Sequence, residues 1–149
     1  MAYTPIFFGA SGQGSSRALA SGFQNASGEN IAKGTVLAVN SDSKLIKLDV
    51  SNEDSVLALV GLAQTDIPNG ANGQVLDSGR LEDVAIAIAV GDSVYVSKTP
   101  GGITSTKPEV GVEGFEVNDF VIFLGVVVKN EFNSTLLDIK LLPTVFGRL

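Results

Sequence analysis

The residues that could do chemistry in this chain are carboxylates, hydroxyls and amines, because its 149 residues include no His and no Cys. Without these two residue types, thiol nucleophiles, disulfides, Cys/His zinc sites and His-based triads are all excluded. A serine nucleophile would need a Lys as its base, and no G-x-S-x-G motif presents such a serine. We therefore expect no catalytic residue, no cofactor and no enzymatic activity.

A glycine-rich stretch, GASGQGSS at residues 9–16, follows the apolar run Ile6–Phe8. A strand, a glycine loop and a helix in this order can present backbone N–H groups to a phosphate. The glycine spacing is not G-x-G-x-x-G, however, and no Lys stands where a P-loop requires one. The stretch is better interpreted as a conformationally adaptable part of an N-terminal arm.

Two groups of acidic residues could supply the carboxylate pair of a glycosidase or oxygen ligands for Ca²⁺. The groups are Asp66, Asp77, Glu82 and Asp83, and Glu113, Glu116 and Asp119. The chain has no D-x-[DN]-x-[DN]-G loop, and no Trp that would form a sugar platform. Acids at turns and strand edges more commonly solvate a surface and discourage edge pairing. Glycoside hydrolysis, carbohydrate binding and a structural calcium ion therefore remain minor alternatives.

Charge and hydropathy argue against two classes of partner. The chain has 10 Lys and Arg against 16 Asp and Glu, a net charge of −6, and no basic cluster of the kind that nucleic-acid binding requires. Its longest apolar stretches, residues 84–90 and 120–128, are far shorter than the roughly 20 residues of a membrane-spanning helix. The N-terminus lacks the pattern of a signal peptide. We expect no nucleic acid or membrane as a partner, and synthesis in a cytoplasm.

Short runs of β-branched residues recur from Gly34 onward, separated by Asn, Asp, Gly and Pro. This pattern predicts an all-β fold, a small antiparallel β-barrel or sandwich. Strands are predicted at residues 35–39, 44–50, 56–63, 74–77, 81–90, 93–97, 103–106, 117–129 and 136–142. Tight hairpins are predicted at residues 68–73 and 100–102, and Pro143 is predicted to end the last strand. A helical turn is expected only at residues 15–20.

The chain divides near Gly34 into two compositions. Residues 1–33 are rich in Gly and Ser, and with two basic residues against one acid they carry +1. The other 8 basic and 15 acidic residues leave −7 on residues 34–149. Four of the ten aromatic residues lie in the first part, although solvated linkers are poor in aromatics. We predict an extended N-terminal attachment arm at residues 1–33 and a β-barrel body with a short C-terminal tail at residues 34–149.

The rings of this arm are predicted to dock on the chain's own body, on a sister subunit or on a different protein. Small residues between the rings would let the backbone lie close to such a surface. The predicted partner-binding residues are Tyr3, Phe7, Phe8, Arg17 and Phe23.

The most specific stretch of the sequence is GDSVYVS at residues 91–97, followed by TPGGITSTKP at residues 99–108. It resembles a segment that recurs in structural proteins of tailed bacteriophages. In those proteins it is followed by strands similar to VIFLGVV at residues 121–127 and STLLDI at residues 134–139. The resemblance covers about residues 34–142. It implies the small β-barrel module of capsid decoration (cement) and head-fibre proteins, a module also attached to tail fibres.

The resemblance further implies a non-enzymatic virion protein, often trimeric, with no catalytic motif to transfer. We accordingly expect a protein of the capsid surface that decorates or stabilises the shell through its arm. Its expected partners are the major capsid protein or neighbouring virion proteins, together with copies of itself, with a homotrimer favoured. The alternative is a tail-fibre or tail-attached component that contacts a host receptor.

Overall fold

The computed structural model describes residues 17–18 and 22–149. Of these residues, 45% lie in strands and 4% in helix, which confirms the all-β prediction. The strands are β1 (Arg17–Ala18), β2 (Phe23–Gln24), β3 (Val36–Val39), β4 (Leu45–Lys47), β5 (Leu59–Ala63), β6 (Asn72–Gly73), β7 (Val75–Val84), β8 (Ser93–Val96), β9 (Ile103–Thr104), β10 (Phe120–Lys129) and β11 (Leu137–Arg148). The helix α1 is Glu53–Leu57.

Eight strands form one antiparallel sheet in the order β4-β3-β5-β7-β11-β10-β8-β9, and β1 adds a ninth strand by pairing with β7 off this path. The sheet curls into a half-barrel. Hydrogen bonds from the β8–β9 turn bring its two ends together: the Val36 N–H donates to the Gly101 carbonyl, and the Gly101 N–H donates to the Leu48 carbonyl, both at 2.9 Å. The predicted hairpin at residues 100–102 is therefore confirmed, and it also joins the ends of the curled sheet.

The core has a main cluster inside the curl and a smaller one beside it. Alternate residues of β8, β10 and β11 supply much of the main cluster, since successive side chains of a strand point to opposite faces. The fully buried members on these strands are Val94, Val96, Ile122, Leu124, Val127 and Ile139. The second cluster contains Ile31, Leu37, Leu45, Ala63, Ile67 and Val75.

Residues 22–33 are packed into the described fold. β2 pairs with β6, and the Ile31 N–H donates to the Ile67 carbonyl at 2.9 Å. The amide of Asn25, which is 1% exposed, donates to the carbonyls of Glu29 and Ile67 at 2.8 and 2.9 Å. This part of the predicted arm is thus built into the second core cluster.

Pro143 does not end the last strand, contrary to the sequence prediction. β11 continues to Arg148, and its register against β10 shifts between the pairs Phe123–Thr144 and Gly125–Leu141. Between these pairs, one residue of β10, Leu124, is matched by two of β11, Leu142 and Pro143, which defines a bulge. A bulge leaves one residue outside the ladder, so a proline is tolerated at this position without the loss of a paired N–H.

The prediction of one strand over residues 56–63 was wrong at its start, because Val56 belongs to α1 and β5 begins at Leu59. The local signal was an N-cap: the side chain of Asn52 accepts from the Ser55 N–H at 3.2 Å. Acids at Glu53 and Asp54 in the first turn favour the same helix end.

Three other local predictions also differ from the structure. Residues 68–73 are not a tight hairpin, because β5 and β7 are joined by residues 64–74, within which β6 pairs with β2. β7 is one strand to Val84, and residues 85–90 lie outside the ladders although Ile86 and Ile88 pack on the main cluster. The region expected to form a helical turn contains β1 instead. In the first and third cases, pairing with a distant strand overrides a local preference.

Candidate functional site

The surface that stands out among the described residues is the outer side of β8, β10 and β11, opposite the main cluster. Tyr95 meets Phe123 edge to face, with ring centroids 5.8 Å apart, and Phe123 stacks on Phe146 at 5.9 Å and 8° between the ring planes. We call these three residues the aromatic ladder. Phe146 is 59% exposed, so the ladder presents an aromatic surface to solvent.

The pairing register explains why these rings lie together. Phe123 is directly opposite Tyr95 on one side and Thr144 on the other, and its neighbours Ile122 and Leu124 point into the core. Directly opposed residues share one face of a sheet. The second register shift, between Val121 and Ile122, lies beside Phe146.

The three strands that carry the aromatic ladder contain almost no acidic residues. β8, β10 and β11 contain one acidic residue, Asp138, and it is buried and paired with Arg80. The whole chain, by comparison, carries a net charge of −6. An apolar surface without free carboxylates can approach another protein surface without leaving a charge desolvated.

A groove lies next to this surface, where β7 and β11 separate. β11 pairs with β7 only as far as Leu141 opposite Gly79, and beyond that point β1 pairs with β7. The groove has a volume of about 500 Å³. We call it the fork groove, and its lining residues are Ser78, Gly79, Arg80, Val128, Lys140, Leu141 and Leu142.

Four polar residues fix the end of the β10–β11 hairpin beside this groove. The Arg80 Nε donates to Asp138 Oδ2 at 2.7 Å, and the Asn130 amide donates to Asp138 Oδ1 at 2.9 Å and to Asp83 Oδ1 at 2.7 Å. The Asp83 N–H also donates to Asp138, at 3.0 Å. We call Arg80, Asp83, Asn130 and Asp138 the polar clamp.

Burial by itself raises the pKa of Asp138, but the hydrogen bonds from the Asp83 N–H, Arg80 and Asn130 outweigh it, so the pKa lies below its usual value. Asp138 therefore stays ionised at neutral pH. The charge is compensated on both carboxylate oxygens, as a buried carboxylate requires.

A second ion pair holds the segment before β10. The Lys98 Nζ donates to Asp119 Oδ2 at 2.7 Å, and the Glu116 N–H donates to the same oxygen at 2.8 Å. The hydrogen bond to Asp119 raises the pKa of Lys98. Because Asp119 is 3% exposed, this ion pair has a structural role and holds the segment before β10 in place.

Four of the seven acids that the sequence suggested for hydrolysis or calcium are engaged in such structural contacts. Asp83 and Asp119 have the partners just described, Asp66 accepts from the Lys33 N–H at 2.9 Å, and Glu113 accepts from the Thr104 hydroxyl at 2.8 Å. Within the described residues, no group of three His, Cys, Asp or Glu side chains is placed to hold a metal ion. Nor do those residues include a helix of the length and apolar character that a membrane crossing needs.

The predicted partner-binding residues are only partly covered by the described structure. Tyr3, Phe7 and Phe8 lie outside it. The backbone of Arg17 pairs with Ser78 in β7, and Phe23 is half-buried against the second core cluster. For Phe23, the surface that receives the ring belongs to this chain.

Sequence reasoning missed the aromatic ladder and the fork groove as surfaces. The continuous apolar run at residues 121–128 gave a signal, since it predicts a strand whose second face could pack against another subunit. Nothing local places Tyr95 and Phe146 beside Phe123, because the three residues come together only through the pairing of β8 and β11 with β10.

Comparison with known families gives a match over most of the described sheet. The family model of phage cement proteins matches residues 18–120, more than half of the chain. No curated protein matches the sequence. The chain belongs to the phage cement protein family, which confirms the resemblance noted in the sequence. The family is a structural, non-enzymatic kind of protein, and membership implies a structural protein of the phage virion that associates with capsid proteins.

Proposed function

We propose that this phage cement protein is made in the host cytoplasm and then decorates the exterior of the capsid, where it stabilises the shell through its N-terminal arm. Residues 1–33 are the attachment segment. Residues 22–33 root the segment in the second core cluster, and Tyr3, Phe7 and Phe8 contact the major capsid protein or a neighbouring virion protein. The observation that carries this proposal is the contrast between an acidic body and a segment, residues 1–16, that has three aromatic rings and no charged side chain.

The energetics of such an arm are adequate for attachment. An aromatic ring buries about 150–250 Å². At about 25 cal/mol per Å², each ring would contribute several kcal/mol before the cost of ordering the arm. Several arms on one rigid oligomer would raise the effective concentration of each, so a modest affinity per arm gives durable attachment.

The body is proposed to assemble as a homo-oligomer, with a trimer favoured. The aromatic ladder supports this assembly, because Phe146 is exposed on strands that carry no free acid. Copies of an acidic protein repel one another, and a face without carboxylates is where they can approach at least cost.

The test is a binding assay with capsid shells that lack the protein, using the full chain with Tyr3, Phe7 and Phe8 all changed to Ser. We expect an intact fold and a loss of shell binding of at least about 100-fold, because three apolar contacts are removed. The matched control is Phe132→Ser, which changes a ring that is 99% exposed in the β10–β11 loop and should leave binding unchanged.

A deletion of residues 1–16 gives a second readout, since it retains β1 and the buried Ile31. Normal decoration by either variant would refute the arm's role. Electron micrographs that place a labelled chain on the tail would instead support the alternative of a tail-attached component.

A further inference from the structure

The pairing of β1 sets the direction in which the N-terminal segment meets the sheet. Leu76 of β7 pairs with Leu62 of β5 on one edge and with Ala18 of β1 on the other. The second edge is the one that β11 occupies further along β7. Because the strands are antiparallel, going from Ala18 back to Arg17 means moving along β7 from Leu76 to Ser78, toward the fork groove.

At Gly79 the edge of β7 is already taken by Leu141 of β11. The inner side of β7 and β11 has no room for another segment either, since Leu81 and Leu141 are each 2% exposed and Ile139 is fully buried. The outer side is open at this point, and there the fork groove presents Leu142, which is 65% exposed. A chain that continued beyond Arg17 in the direction of β1 would therefore meet the groove.

The number of residues between Arg17 and the apolar run Ile6–Phe8 would allow that run to reach the groove. Ile6–Phe8 are separated from Arg17 by the eight residues 9–16, which are Gly, Ser, Ala and Gln. A Gly/Ser-rich linker of this length spans about 16 Å on average, so its ends remain near one another at millimolar effective concentration. The partner of Arg17 in β7, Ser78, is itself a lining residue of the groove.

The chemistry of the two parts matches. The groove offers the apolar side chains of Val128 and Leu142, with Arg80 and Lys140 at its rim. Residues 1–16 contain no basic side chain that would repel Arg80 and Lys140, and no acidic side chain that would neutralise them. Aromatic rings can fill the apolar part of such a groove and also accept a cation over their faces.

We propose that in the free protein the fork groove is the seat of residues Ile6–Phe8 of the same chain. This inference goes beyond the attachment role, because it concerns the subunit before it meets a shell. The seat covers the most apolar residues of the arm and of β11 in solution. Binding to a shell then requires the arm to leave the groove, so the groove competes with the shell for the same rings.

The absence of Cys from the chain makes a disulfide experiment unambiguous. In the isolated protein, Phe8→Cys combined with Leu142→Cys should form an intramolecular disulfide about tenfold or more faster than a control pair, under mild oxidation. The control pair is Phe8→Cys with Leu57→Cys, since Leu57 is also an exposed leucine, at 76%, but lies on α1. The products are separated on a non-reducing gel as faster-migrating monomer or as dimer.

Equal rates for the two pairs, or a product that is mainly a disulfide-linked dimer, would overturn the proposal. A second readout uses no introduced cysteine: Phe7→Ser with Phe8→Ser should increase the fluorescence of a dye that binds exposed apolar surface. No increase would also count against the seat. Neither measurement involves a shell, so the seat and the attachment role succeed or fail separately.

Discussion

The two faces of the β10–β11 hairpin have similar composition and different surroundings. Its inner face contains Ile122, Leu124 and Val127, all fully buried in the main cluster, whereas its outer face exposes Leu142 and Phe146. Apolar side chains on the inner face stabilise the fold by their removal from water. Apolar side chains on the outer face gain little from folding and become useful only when another surface covers them. The comparison separates residues that maintain the fold from residues that are available for association.

The largest expected effect comes from truncating a leucine on the inner face. Leu124→Ala should lower the free energy of unfolding by about 2–5 kcal/mol, because it removes buried methyl groups and leaves a cavity. Urea denaturation followed by circular dichroism measures this change. The matched control is Leu142→Ala on the outer face, which should change stability by about 0.5 kcal/mol or less. Similar losses for the two variants would break the distinction between the faces.

An intermediate effect is expected at the polar clamp, which fixes one end of the hairpin. Asp138→Asn should cost about 1–3 kcal/mol at pH 7, because Arg80 loses its charged partner and the buried amide cannot accept every hydrogen bond. Denaturation at pH 7 measures this difference. Asp42→Asn, in an exposed turn, serves as the control and should have little effect.

The clamp also predicts a pH dependence. Because the pKa of Asp138 in the folded protein is below its usual value, its contribution is fully present above the unfolded pKa of about 3.9. The contribution is lost as the pH falls through the lower, folded value. The stability difference between wild type and Asp138→Asn should therefore shrink below about pH 4, and a difference that stays constant to pH 2 would contradict this account.

The smallest effect on stability is expected on the outer face. Phe146→Ser should change the free energy of unfolding by about 1 kcal/mol or less, since the ring is 59% exposed and loses mainly its stacking on Phe123. If copies associate through the aromatic ladder, the same change should raise their dissociation constant about tenfold or more, as measured by sedimentation. Phe132→Ser provides the comparison, and an equal shift there would exclude the ladder as the contact surface.

Much of the strand pattern could be predicted from sequence because it depends on short-range chemistry. The apolar, β-branched run of β10 and the Pro100–Gly102 turn after β8 are local features, and the structure places a strand and a hairpin at these positions. The helix α1 was missed although its N-cap, Asn52, is also local. There, the apolar run from Val56 onward suggested a strand more strongly than the cap suggested a helix.

The candidate surfaces were harder to predict, because each combines residues that are distant in the chain. The polar clamp joins Arg80 and Asp83 to Asn130 and Asp138 across 47 to 58 positions. The fork groove exists because β11 leaves β7 at Gly79 and β1 replaces it there. No pattern within a window of ten residues contains this information.

The sequence by itself determined the all-β class, the lack of His and Cys, the acidic body and the uncharged aromatic segment at residues 3–8. These properties depend on residue types and on neighbours along the chain. The tertiary structure alone decided that β11 passes Pro143 through a bulge, that Tyr95, Phe123 and Phe146 meet on one face, and that Ile31 belongs to a core. Strand register decides such features, and it is set by burial and hydrogen bonding between distant segments.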